Sequence, residues 1–134
     1  MALKIGINGF GRIGRMVLRS IIENNRKDLE IVAINNRANS EVSSFLLKHD
    51  TIHGKLKAKI SHSEKSIEIN GKKINMIHET EISKIDWKKH KVDVVLECTG
   101  KFNTKEKSAQ HIKSGAKRLL FLHLAKEQKI LFLE

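Results

Sequence analysis

Gly9, Gly11 and Gly14 form a G-x-G-x-x-G series inside the stretch Gly6-Ile-Asn-Gly-Phe-Gly-Arg-Ile-Gly14. Glycines at these intervals bring bare backbone up to an anion. The first permits a sharp turn from strand to helix, the second clears a Cβ from the ligand's path, and the third lets the helix pack closely on the strand. The chemistry is anion binding by free N–H groups at the positive end of a helix dipole. The series carries weight only between a strand and a helix. Both are present in pattern: the apolar run Leu3 to Ile7 precedes it, and Arg15 to Asn25 follows with helical spacing. The loop therefore reads as the pyrophosphate cradle of a dinucleotide site.

A second place of interest is Asn35-Asn36-Arg37, after the apolar run Ile31 to Ile34 and about twenty residues beyond the glycines. A dinucleotide fold places an acid there to accept both ribose hydroxyls and repel a 2′-phosphate. Asn36 can bind the hydroxyls but repels nothing, and Arg37 can pair with a 2′-phosphate or stay solvated. The reading favours NAD and leaves NADP admissible. Cys98 has no partner histidine placed by the sequence and reads as strand-end packing, so no catalytic residue is assigned. His49 and His53 have metal-pair spacing, but no third ligand follows and Gly54 ends any helix, so no metal site is assigned.

The elements that must position these residues follow from periodicity. Ser40 to Lys48 reads as a helix capped by Asn39 or Ser40. Alternation over 57–61, 66–69 and 73–77, with Asn70-Gly71 joining the last two, reads as short antiparallel strands, with Lys55, Lys57 and Lys59 on one strand face. Glu81 to Lys91 reads as a helix whose apolar side is Ile82, Ile85 and Trp87, with Lys88, Lys89 and Lys91 near its end. Val92 to Gly100 reads as a buried strand, and Thr104 to Ser114 as a helix capped by Thr104 and stopped by Gly115. The expected fold is α/β of the Rossmann type: a mostly parallel sheet, helices on both faces, and a short antiparallel hairpin insertion.

With 134 residues the chain is of one-domain size, and its 40% hydrophobic content is enough for a core. A net charge of +11 invites a nucleic-acid reading, but the lysines are scattered, aromatics are 4% and tyrosine is absent. Base-stacking platforms are therefore scarce, and a solvated basic surface is the reading adopted. No run approaches a membrane span and no signal-peptide pattern opens the chain, which makes the cytoplasm the expected location. One cysteine precludes an internal disulfide.

Several stretches together resemble the N-terminal, cofactor-binding half of the glyceraldehyde-3-phosphate dehydrogenase family. They are Lys4 to Arg15, Val32 to Asn35, Asp50-Thr-Ile-His-Gly54, Asn70-Gly-Lys-Lys-Ile74, Val92 to Gly100 and His111-Ile-Lys-Ser-Gly-Ala-Lys117, in the expected order over residues 1 to about 118. The resemblance implies that Asn8, Gly9, Phe10, Gly11, Arg12 and Ile13 line the pyrophosphate and adenosine end, with Gly14 completing the loop. Asn36 stands where the family has a ribose-binding Asp, and Thr80 about where many members have an Arg near the adenine. Thr99 and Gly100 border the cofactor from another strand, with Phe102 nearby. Implied partners are the dinucleotide and full-length homologous subunits. The sister activity on erythrose 4-phosphate shares this half.

In an intact member a Cys within Ser-Cys-Thr-Thr-Asn attacks the aldehyde and a His acts as base; neither occurs in this sequence. After Arg118 the resemblance predicts Val-Leu-Ile-Ser-Ala-Pro-x-Lys-Gly-Ala, whereas the chain reads Leu119-Leu-Phe-Leu-His-Leu-Ala-Lys-Glu. With permitted codons, Leu120 to Glu134 reads in a neighbouring frame as Ile-Ser-Ala-Pro-Ser-Lys-Gly-Ala-Glu-Asn-Ile-Val-Phe-Gly. The expectation is a frameshift near Leu120: a binding domain over 1–118, an aberrant tail over 119–134, no catalytic domain, and Ile130 to Leu133 exposed with nothing to pack against.

Overall fold

The computed structural model describes residues 2–50, 54–99, 105–122 and 130–133. In chain order the elements are β1 (Leu3–Asn8), α1 (Arg12–Glu23), β2 (Leu29–Asn35), α2 (Ser40–Lys48), β3 (His49–Asp50), β4 (Gly54–Lys55), β5 (Ile60–Ser63), β6 (Ser66–Ile69), β7 (Lys72–Ile77), β8 (Val94–Glu97), α3 (Lys105–Lys113), β9 (Arg118–Leu122) and β10 (Ile130–Leu133). One sheet runs in the order β10-β9-β8-β1-β2-β7-β6-β5. From β9 to β7 every pairing is parallel, and β10, β6 and β5 add antiparallel margins. The expected Rossmann-type architecture is what forms, hairpin insertion included.

The sheet is buried on both faces because its central strands are apolar at successive positions. Ile5 and Ile7 of β1 face a core with Leu18 of α1, Leu47 of α2 and Leu96 of β8. The opposite face packs Val95, Leu119, Phe121, Ala116, Ile85 and Trp87. Gly6 points to this second face, where a Cβ would stand 2.6 Å from the Trp87 ring. The register slips between Ile5 and Gly6, so that Ile5 pairs Ile31 but Gly6 pairs Ala33. Val32 and Ala33 consequently both meet the Trp87 side.

Local signals place the turns. Asn39 accepts from the Val42 N–H at 2.8 Å and starts α2. Asn70 and Gly71 have φ of 51° and 86°, the doubly left-handed pair that joins β6 to β7. A charge holds the other end of α2: Arg19, 4% exposed, donates to the carbonyls of Leu47, Lys48 and Gly54 at 2.7–2.9 Å. A cation beside those last carbonyls also matches the helix dipole.

Three expectations require correction. Glu81 to Lys91 is not an α-helix; it contains one 3₁₀ turn, Ile82–Lys84, and then irregular chain. Burial of Trp87 over Gly6 dictates that path, with the Trp87 and Lys88 N–H groups both donating to the Ser114 carbonyl. Lys55, Lys57 and Lys59 share no strand face, because β4 stops at Lys55 and β5 starts at Ile60, while buried Leu56 plugs the core between them. Ile130–Leu133 has a backbone partner after all: as β10 it pairs antiparallel with β9, Ile130 opposite Leu122 and Leu133 opposite Leu119.

Candidate functional site

The cleft that collects the predicted residues opens at the C-terminal ends of the parallel strands. Asn8, Gly9, Gly11, Asn36, Arg37, Thr80 and Thr99 line it, and its volume is about 320 Å³. That position, outside the carboxyl ends of strands where the order reverses around β1, is where open α/β sheets bind ligands. Gly100 and Phe102 lie outside the described residues, as does His53 of the rejected metal pair. Among the described residues no three metal-ligating side chains cluster, and no helix is long and apolar enough to cross a membrane.

The glycines divide their tasks. Gly9 has φ +91° and touches β8's end so closely that a Cβ would lie 2.7 Å from Thr99 Cγ2 and 2.9 Å from Thr99 N. At Gly14 a Cβ would meet the Gly9 carbonyl at 2.7 Å, so this residue lets α1 sit against the loop. Gly11 differs: nothing lies within 4 Å of its Cβ position, which looks into open space at the cleft. It also caps α1 without any side-chain acceptor, and the first turn of α1 contains no acidic residue. Among the described residues the leading N–H groups of α1 thus have no side-chain acceptor at the cap and no acid in their own first turn, the arrangement that accepts a phosphate. Phe10 is 1% exposed and Ile13 is partly buried against the core, so both act chiefly as packing under the loop. Arg12 is exposed at the first position of α1.

Beneath the loop a polar network crosses the sheet. Asn35 Nδ2 donates to Asn8 Oδ1 at 2.8 Å, and Asn8 Nδ2 donates to Glu97 Oε2 at 2.7 Å. His111 Nε2 donates to the same Glu97 oxygen at 2.7 Å. Trp87 Nε1 donates to His111 Nδ1 at 3.1 Å. The indole can only donate, so His111 Nδ1 accepts and the Nε2 proton faces Glu97; the tautomer follows from the partners. Thr99 gives both its hydroxyl and its N–H to Glu97 Oε1. Burial alone would raise the Glu97 carboxyl, but the bonds from His111, Asn8 and Thr99 outweigh it and hold the group below its ordinary value. Asn35 extends the network to β7's end, accepting from the Glu79 N–H at 2.9 Å and donating to the Glu79 carbonyl at 3.0 Å.

At the far end of the cleft, Asn36 Oδ1 faces the Phe10 N–H at 3.4 Å and Asn36 Nδ2 faces Ser43 Oγ at 3.3 Å. The Asn36 carbonyl accepts from His78 Nδ1 at 2.9 Å. Cys98 is 6% exposed, and burial together with the Glu97 charge pushes its thiol up to about 12. It is no nucleophile at neutral pH. Glu79, Ile82 and Glu97 line the cleft without having been singled out as site residues from the sequence. For Glu97 a signal existed: an acid closing the apolar run Val94 to Leu96 demands buried partners.

Residues 3–105 match the family model described as glyceraldehyde 3-phosphate dehydrogenase, NAD binding domain. The chain is 46% identical over 121 residues to glyceraldehyde-3-phosphate dehydrogenase 1 of Giardia intestinalis, covering 90% of this chain and 35% of that protein. It is 43% identical over 130 residues to glyceraldehyde-3-phosphate dehydrogenase of Streptomyces coelicolor, covering 97% and 38%. With the Thermotoga maritima protein of the same name it is 41% identical over 127 residues, covering 95% and 38%. The chain spans little more than a third of the length of these curated relatives.

Proposed function

The chain belongs to the family of glyceraldehyde-3-phosphate dehydrogenase NAD-binding domains, and from that premise we propose that its cleft binds NAD as the cofactor half of a glycolytic, phosphorylating aldehyde dehydrogenase. One observation carries the reading: α1 begins at Gly11 with no side-chain cap, no acid in its first turn and open space over the glycine. A pyrophosphate fits there because it meets free N–H groups and the positive dipole end without a Cβ between them. Asn8, Gly9, Phe10, Gly11, Arg12, Ile13 and Gly14 hold that end, Asn36 and Arg37 the ribose, Thr80 the adenine side, and Thr99 with Gly100 the border toward the nicotinamide. The bound dinucleotide supplies a hydride acceptor. The protein's part is to orient it, with Glu97 fixing Asn8 and Thr99 on either side of the loop.

On this reading residues 1–118 are the binding domain and 119–134 an aberrant tail, and these residues alone oxidise no aldehyde. The single thiol, Cys98, is buried and committed to packing. Partners are the dinucleotide and full-length homologous subunits, in the cytoplasm, with no membrane or nucleic-acid role. Calorimetric titration with NAD, run beside an aldehyde-oxidation assay containing phosphate, tests both parts. The expected outcome is one-to-one binding without NADH. Absence of binding refutes the cofactor assignment, and sustained NADH production refutes the binding-only assignment.

A further inference from the structure

A second groove lies at the opposite end of the sheet from the cofactor cleft, between α1 and the β6–β7 hairpin, with a volume of about 400 Å³. That is the size of a small-molecule site. Leu18 and Ile22 of α1, Leu29 and Ile31 at the start of β2, and Ile69 and Ile74 of the hairpin give it an aliphatic lining. Leu18, Ile31, Ile69 and Ile74 are buried in the core beneath, whereas Ile22 and Leu29 are only half-buried, so aliphatic surface stays open to solvent. No aromatic or hydroxyl side chain lines the groove. It offers a planar ring no platform, and a flexible aliphatic chain suits it better. The mouth is basic. Lys27 and Lys72 are exposed there, and their ammonium groups make no hydrogen bond or ion pair among the described residues. Arg26 is committed to Asp28 through bonds of 2.8 and 2.6 Å. Alternation places Lys72, which pairs with Ile69, on the face of Ile69 and Ile74, and puts Lys73 on the other face with Glu68. Glu30, the one acid among the lining residues, alternates away from Leu29 and Ile31 in the same way.

We propose that this groove binds a free fatty acid, its chain lying against Ile22, Leu29 and Ile74 and its carboxylate held by Lys27 and Lys72. Burial of each methylene supplies the affinity, and the two unpaired ammonium groups select the charged head. The chain's net charge of +11 favours the approach of an anion. Because the groove is at the other end of the strands from Gly9 and Gly11, the fatty acid and a dinucleotide are bound independently.

The test is titration of the whole labelled chain with octanoate, decanoate and octanol, each below its solubility or micelle limit, followed by amide chemical shifts. The largest shifts are expected at Ile22, Ile31 and Lys72. Decanoate is expected to bind about tenfold tighter than octanoate, from two more buried methylene groups. Octanoate is expected to bind about fivefold tighter than octanol at low salt, a preference that shrinks at physiological salt. Lys27→Gln combined with Lys72→Gln is expected to abolish that preference and leave octanol binding unchanged, so the alcohol serves as the internal standard for folding. Absence of shifts in the groove, equal affinity for octanoate and decanoate, or a carboxylate preference unmoved by the double substitution overturns the proposal. Displacement of octanoate by NAD overturns it too, since the two would then share the cofactor cleft. Sedimentation with anionic vesicles while octanoate leaves the groove amides unmoved assigns the lysines to a lipid surface and equally overturns it.

Discussion

Gly11→Ala separates binding from stability. The backbone at Gly11 has φ −79° and ψ −157°, which alanine adopts without strain, and no heavy atom lies within 4 Å of the added methyl. Replacing a capping glycine with alanine costs a few tenths to about 1 kcal/mol, and the stiffer unfolded chain returns about 0.4–1 kcal/mol. The net change in folding free energy is therefore close to zero. The methyl nevertheless occupies the space through which a pyrophosphate reaches the first N–H groups of α1. Loss of one or two charge-assisted hydrogen bonds, about 1.5–3 kcal/mol, weakens NAD about ten- to a hundredfold. Gly9→Ala is the contrast: its φ of +91° and the 2.7–2.9 Å approach to Thr99 force strain and backbone movement, with a cost of about 3 kcal/mol or more. Urea unfolding followed by circular dichroism, with NAD calorimetry on the same samples, reads both effects. If Gly11→Ala binds NAD like the wild type, the loop is not the cradle. If it unfolds as readily as Gly9→Ala, the geometry given for the loop is wrong.

The Trp87–His111 bond is tested by a double-mutant cycle: Trp87→Phe and His111→Leu each leave a buried polar group without a partner and cost about 2–4 kcal/mol, and the pair is less than additive by about 1–2 kcal/mol. Additivity in urea midpoints would show that the two side chains act independently. Acid stability follows Glu97: its folded-state pKa is depressed, so its contribution is complete above the ordinary carboxylate range and is lost as pH falls through the depressed value. Stability curves against pH are thus expected to flatten at their acid limb in Glu97→Gln, leaving the shares of Asp93, held down by the Lys4 N–H, and of Asp28, held down by Arg26; an unchanged limb contradicts the network. Cys98 is expected to resist iodoacetamide at neutral pH in the native protein and to react once unfolded. Prompt native labelling would contradict its burial.

What the sequence disclosed was local. The glycine series, the Asn39 cap and the Asn70-Gly71 turn each act within a few residues, and each forms as its chemistry dictates. The Asn36 position was legible for the same reason, since it follows directly from the end of β2. Glu97 was not, because its partners Asn8 and His111 lie 89 and 14 residues away and meet it only when β1, β8 and α3 assemble. The segment 81–91 misled through its spacing: Ile82, Ile85 and Trp87 suit a helix face, but the void over Gly6 captures the indole and pulls the chain out of helical register. The strand β10 was hidden because edge pairing depends on what lies beside it, here the apolar strand Arg118–Leu122.

NAD is proposed to occupy the cleft above β1, β2 and β8. Amide chemical-shift mapping of the labelled chain during NAD titration tests it most directly. The largest shifts are expected at Gly9, Gly11, Asn36 and Thr99, saturating together at one equivalent per chain. Shifts centred instead on the groove between α1 and the β6–β7 hairpin, lined by Ile22, Arg26 and Lys73, or no shifts at all, would contradict it.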